Sequence, residues 1–202
     1  MDEVGQGAVV VGTAGADERA AAALLAARAM RNNPMHVAAL GSSADRRVEV
    51  MRRAFVAMLA GREVLTASLD GRLIGVAAHT TAPGCRPGPA ALRGFLPAAA
   101  RAGTSTPRLL RWLAAWARHD PDEPHSHLGP VAVEGALRGR GVGSALLTRY
   151  VELLDERGAA GYLETDRLAN VRLYRRFGFE VVAEDTVLRV PNWFMARPAS
   201  RA

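Results

Sequence analysis

Residues 127–147, HLGPVAVEGALRGRGVGSALL, constrain this chain more than any other stretch. The apolar run 128–133, with Val131 and Val133, reads as a strand. A short link follows, and then Arg138-Gly139-Arg140-Gly141-Val142-Gly143. Residues 144–156 are amphipathic and read as a helix. Glycines let main-chain N–H groups face a ligand with no Cβ in the way. The helix start adds unpaired N–H groups and the positive end of its dipole. Such a turn suits a phosphate, and Arg138 and Arg140 bring charge to pair with it.

Three phosphate-binding loops fit parts of this description. A P-loop needs a lysine after its second glycine, and the chain has no lysine. A dinucleotide fingerprint needs G-x-G-x-x-G directly after a strand. Counting from Gly139 the sixth residue is Ser144, counting from Gly141 it is Leu146, and the link from the strand is too long. Glu164 does fall about 20 residues on, where a ribose-binding acid would stand, so a nicotinamide-dependent enzyme stays open as an alternative. The third pattern is Arg/Gln-x-x-Gly-x-Gly/Ala, which residues 138–143 fit throughout. In this the stretch resembles the pyrophosphate loop of the GNAT superfamily of N-acetyltransferases.

Composition narrows the setting. At 202 residues with 49% hydrophobic content, the expectation is one domain, 1–202, with an ample core. The opening residues are acidic, and no apolar run is long enough to span a bilayer, so no membrane association and a cytoplasmic place are expected. Cys85 is the single cysteine, which excludes an internal disulfide. The formal charge is +6, but arginine is scattered without a basic run interleaved with aromatics, which argues against nucleic acid.

Taken in order, residues 7–12 read as a first strand, and Asp17 as the cap of an Ala-rich helix ending at Met30. Residues 34–43 carry His36, read as surface or structural. A second helix covers 45–60, with Val48, Met51, Phe55 and Met58 inward. Strands at 63–69 and 73–80 flank Asp70-Gly71, a hairpin signal. Residues 81–107 read as loop, and Thr106-Pro107 as the start of a helix with Leu109, Trp112, Leu113 and Trp116 on one face. His125 and His127 share a strand face, but no third ligand is convincingly spaced, so no metal is expected. A strand at 161–165, a helix at 171–177 capped by Asn170, and strands at 179–183 and 187–195 complete the chain.

Asn170 and Tyr174 are four apart and share a helix face. The run Leu173-Tyr174-Arg175-Arg176-Phe177-Gly178-Phe179 matches the GNAT C-terminal motif, and the HLGPVAV strand, the LET strand end and Asn192-Trp193-Phe194-Met195 most resemble the puromycin N-acetyltransferase-like branch. The resemblance implies an α/β (α+β) fold: a mixed central sheet of about seven strands, flanked by helices, with an inserted helix before the central strand. It implies acetyl-CoA as cosubstrate, in a V-shaped gap beside the central strand. Val131, Ala132 and Val133 would line that gap. Arg138, Gly139, Arg140, Gly141, Val142, Gly143 and Ser144 would hold the pyrophosphate, with Asn170 at the pantetheine. Tyr174 would protonate the departing thiolate, and Glu164 at its strand end, His127 or a water chain would take the amine proton. The acceptor would be a small-molecule or peptide amine, and homodimerisation is the base-rate expectation. A non-catalytic acyl-CoA-binding or sensing module is the alternative to an enzyme.

Overall fold

Seven strands form one mixed sheet in the order β1-β2-β3-β4-β5-β7-β6. The structure is a computed structural model and describes residues 7–80 and 93–200. The strands are β1 (Val10–Thr13), β2 (Glu63–Leu69), β3 (Arg72–His79), β4 (Ser126–Val133), β5 (Gly161–Thr165), β6 (Glu180–Val187) and β7 (Val190–Arg197). All neighbours are antiparallel except β4 and β5, which run parallel. The helices are α1 (Arg19–Met30), α2 (Pro34–Leu40), α3 (Ala44–Leu59), α4 (Leu96–Ala102), α5 (Thr106–Ala117), α6 (Val142–Glu156) and α7 (Leu168–Arg175). None of these described helices is long and apolar enough to cross a membrane.

Two apolar layers cover the two faces of the sheet. Under α1 to α5 lie Ala22, Ala23, Ala26 and Ala27 of α1 with Met35, Phe55, Leu59, Val76 and Ala132. The alanines let α1 sit close to the sheet, because on the helix side these buried positions carry only a methyl group. Under α6 and α7 lie Leu146, Leu147, Tyr150, Leu154, Leu163, Tyr174 and Phe179. Gly75 lets α6 approach β3, since a Cβ there would stand 3.0 Å from Val142 Cγ1 and 3.1 Å from Leu146 Cδ1.

The Asp70-Gly71 hairpin forms as its sequence demands, with φ of 51° and 75°, the pair of positive angles of a type I′ turn. Other boundaries move. β1 starts later, at Val10. Asp17 does not cap α1: Glu18 holds that place, and its carboxylate accepts from Gly15 N–H at 2.9 Å. Residues 34–40 form α2, started by Pro34, where no helix is expected from the sequence. Residues 96–102 form α4 inside the stretch read as loop. Cys85 lies outside the described residues. Thr106 does not cap α5 either; its hydroxyl donates to Ala99 O at 3.0 Å, and Ser105 precedes the helix. Leu113 faces out at 43% exposure, and Ala115 takes its place beside Trp112. β6 runs on to Val187, with Glu180, Val182, Glu184 and Thr186 outward, an alternation suited to a sheet edge. Its turn falls at Leu188 and Arg189, both with positive φ, which residues of this type seldom adopt.

Phe179 is fully buried between Tyr150 and Tyr174, at ring separations of 6.5 and 6.3 Å. Phe179→Ala is expected to cost about 3–5 kcal/mol. At roughly 2–4 °C per kcal/mol for a chain of this size, thermal unfolding should shift down by about 10 °C. A shift under about 3 °C in a melting experiment would show that this layer does not hold the fold together.

Candidate active site

β4 and β5 pair only over Ser126 to Leu128 and Gly161 to Leu163, and then part. The cause lies in β4. Leu128 pairs with His79, but Val131 pairs with Ala77, so β4 holds one more residue than β3 across this step. This is a β-bulge at Gly129-Pro130, and Pro130 has no N–H to give to a neighbour. The extra residue reverses which groups face outward. Before it, Ser126 N–H donates to Ala160 O at 2.8 Å, on the β5 side. After it, Glu134 N–H donates to Ile74 O at 2.9 Å, on the β3 side. By the two-residue period Ala132 also faces β3, and the main-chain groups of Val131 and Val133 face the gap. The gap thus receives two of the three residues expected there, while Ala132 spends its backbone on Val76. Arg62 fixes the bulge, its guanidinium donating to Gly129 O at 2.7 Å and His127 O at 3.4 Å.

The glycine loop enters beside this gap. A 3-10 turn at Gly135–Leu137 leads into it, and Gly139 and Gly141 take φ of 78° and 84°, left-handed values that favour glycine. The first bond of α6 runs from Ala145 N–H to Gly141 O at 2.9 Å. Among the described residues this leaves the N–H groups of Val142, Gly143 and Ser144 without a backbone acceptor. Gly143 lies beside β4, where a Cβ would make an ordinary contact with Val133 Cγ2 at 3.7 Å. Arg140 is exposed, whereas Arg138 donates to Ala29 O at the end of α1 and ties that helix to the loop.

α7 brings Tyr174 and Asn170 to the same face of the sheet as α6. The two helices share one apolar layer, and Arg176 donates to Ser144 Oγ at 3.4 Å between them. Tyr174 is buried. Burial raises its phenol above the ordinary range, and the carboxylates of Asp166 and Glu164 raise it further, so it keeps its proton. Asn170 is not the cap expected of it; it lies within the first turn of α7 and donates to Thr165 Oγ1 at 3.1 Å.

On the other face stands a cluster of charged groups. His127 Nε2 lies 2.8 Å from Glu164 Oε2, and His127 Nδ1 lies 3.2 Å from Asp120 Oδ1. Only 5% of the Glu164 side chain is exposed, so it is a buried partner and not a free strand-end acid. Burial opposes a proton on His127, but the carboxylates of Glu164 and Asp120 outweigh it and lift the ring to about 9. With only these carboxylates to balance it, the ring favours a second proton at neutral pH, which does not suit it to act as a base. His36, read as surface or structural, is buried between Phe55 and Trp112, and desolvation pushes it down to about 4.

Residues 39–179 match the Acetyltransferase (GNAT) family. The chain belongs to that family. The match places it in the superfamily without choosing a branch. A mycothiol acetyltransferase of Mycobacterium avium is 37% identical over 89 residues, which is 38% of this chain and 28% of that protein. The chain thus spans under a third of the length of that curated relative. A crystal structure described as histone acetyltransferase HPA2 and related acetyltransferase, from Corynebacterium glutamicum, superposes with a TM-score of 0.71 at 23% identity, covering 96% of this chain and 98% of that one. An acetyltransferase of Salmonella typhimurium, solved with its cofactor acetyl-CoA, gives 0.57 at 18% identity, with 96% of each covered. At these identities the superpositions speak for the GNAT fold.

Two further buried polar residues make contacts that the sequence does not announce. Asn192 is buried and accepts from Trp116 Nε1 at 3.0 Å, and its amide reaches Met35 Sδ at 3.5 Å. The amphipathic spacing of Trp116 signals packing and hides this bond. Asp166 Oδ2 accepts from Met35 N–H at 2.7 Å and holds the start of α2 against the end of β5. Desolvation raises the Asp166 carboxyl above its ordinary value. The native state then binds this proton more tightly than the unfolded state does. Its contribution to stability is greatest at acid pH and is lost as pH climbs past the raised value. Asp166→Asn keeps an acceptor for Met35 but cannot ionise. It is expected to melt above the parent protein at pH 8, with the difference shrinking toward pH 4; a variant that melts lower at pH 8 contradicts this.

Proposed function

We propose that this chain, read as one acetyltransferase domain over 1–202, is an acetyl-CoA-dependent N-acetyltransferase that acts on a primary amine of a small molecule or peptide by direct transfer. The observation that carries the reading is the opening between β4 and β5 beyond Leu128 and Leu163, with amides along it and at its end that have no backbone partner among the described residues. The main-chain groups of Val131 and Val133 suit the amides of a pantetheine arm lying along β4. The N–H groups of Val142, Gly143 and Ser144, with the positive end of α6, suit its diphosphate, and Arg140 adds charge. The Salmonella protein solved with acetyl-CoA shares this fold, which supports the choice of cosubstrate.

Acetyl-CoA supplies an activated thioester carbonyl. The rest falls to the protein. Val133 N–H can donate to that carbonyl oxygen as charge grows on it. Tyr174 keeps its proton at neutral pH and so can donate to the departing sulfur. Glu164, anchored by His127, is the proposed acceptor of the amine proton. The amine itself must be neutral and held close to the thioester, on the face where Asp166, Asn192 and Met35 meet.

The test is calorimetry with acetyl-CoA, followed by thiol release against a panel of amines, aminoglycosides, nucleoside antibiotics and peptide N-termini. Tyr174→Phe is expected to lower kcat about 100-fold with acetyl-CoA affinity unchanged. Gly141→Val puts a branched Cβ where φ is 84° and should weaken acetyl-CoA binding at least ~10-fold. Full turnover in Tyr174→Phe removes the phenol from the mechanism. Binding without thiol release from any amine favours the non-catalytic acyl-CoA-binding alternative.

A further inference from the structure

We propose that Asp120, His125 and His127 form a binding site for one divalent transition-metal ion of the zinc class. Asp120 Oδ1 lies 3.4 Å from His125 Nε2 and 3.2 Å from His127 Nδ1, and one ligand atom of each residue lies within 4.8 Å of the others. The residues come from the link between α5 and β4 and from the start of β4, and their side chains are 9%, 5% and 15% exposed.

The two rings are oriented from behind. His125 Nδ1 lies 2.8 Å from Glu123 O, and a carbonyl can only accept, so the proton is on Nδ1. His127 Nε2 faces Glu164 Oε2 at 2.8 Å in the same manner. A backbone carbonyl and a carboxylate are the usual outer partners of metal-binding imidazoles. Each ring then turns its other nitrogen toward the same carboxylate oxygen. Two neutral rings would aim lone pairs at an anion, so positive charge must lie among the three atoms.

The separations favour one dication over two protons. Charge-assisted N–H to O bonds run about 2.7–2.9 Å, shorter than either contact. Four ligands at about 2.0–2.1 Å in a tetrahedron stand ~3.3–3.4 Å apart, close to the observed 3.2 and 3.4 Å. Two imidazoles and a carboxylate suit zinc better than calcium or magnesium. Three protein ligands leave one position for water. Such an ion would tie the Pro-rich link before β4 to the sheet, and through His127 it would reach the carboxylate of Glu164.

The test uses the full chain, stripped with chelator and desalted, then titrated with zinc chloride against a chromophoric competitor. One equivalent of zinc is expected, retained through desalting, and Co2+ in its place should give the strong visible absorption of a tetrahedral site. His125→Gln and Asp120→Asn, each checked for native circular dichroism and melting, should lose that equivalent. Glu164→Gln should weaken zinc ~10–100-fold while keeping the stoichiometry. If the folded parent retains no stoichiometric zinc, or if His125→Gln and Asp120→Asn bind it as the parent does, the site is refuted. Metal content is read without acetyl-CoA or an amine, so this result stands apart from the acetyl-transfer test.

Discussion

The one-residue bulge in β4 is the constraint on which the rest of the molecule depends. A regular β4 would keep the same edge toward β5 along its whole length, and the two strands could pair to their ends. The extra residue at Gly129-Pro130 closes the ladder with β3 again one step out of phase. Val131 and Val133 then turn their main-chain groups to a gap that no strand among the described residues fills. Unpaired backbone in a sheet interior is costly unless water or a ligand satisfies it. The bulge is held open by Arg62, which takes the carbonyls of His127 and Gly129. A defect in the sheet thereby leaves a slot into which main-chain groups are turned.

The glycine loop and α7 are both packed beside that gap. Gly139 and Gly141 turn the backbone so that α6 begins beside Val133, and Gly75 lets the helix lie close to the sheet. α7 packs on the same face and places a protonated phenol in the apolar layer shared with α6. The opposite face carries the buried carboxyls Asp166 and Glu164. The two faces thus differ in kind, with amides and a phenol on one and acids on the other.

Much of this was legible in the residues because it rests on local rules. The strand, loop and helix of 126–156 follow from valines, glycines and amphipathic spacing, and the Asp70-Gly71 hairpin from its turn chemistry. β5 matches residue for residue, since it is short, apolar and bounded by glycine and a polar turn. What was not legible depends on contacts distant in sequence. α2 is a short helix held at its start by Asp166, more than a hundred residues away. Leu188 and Arg189 turn between two strands with no glycine to announce it. The capping roles read for Asp17, Thr106 and Asn170 failed for a common reason. Each side chain type can cap, but here neighbouring residues hold the cap positions, and Thr106 and Asn170 bond to groups outside their own helices.

The cluster behind β4 shows most sharply where sequence reading stops. His125 and His127 are visible as a pair, and alternation along a strand puts them on one face. Their third partner lies across two prolines, in a turn whose shape no periodicity reports. Asp120 reaches both rings across the bend at residues 122–123. The same contact bears on the state of Glu164. An acid alone at the end of β5 would be solvated and unremarkable, whereas Glu164 is buried against His127, and His127 is held in turn by Asp120. The surroundings of that carboxylate are thus set in part by an acid 44 residues upstream in the chain, Asp120, through one imidazole ring.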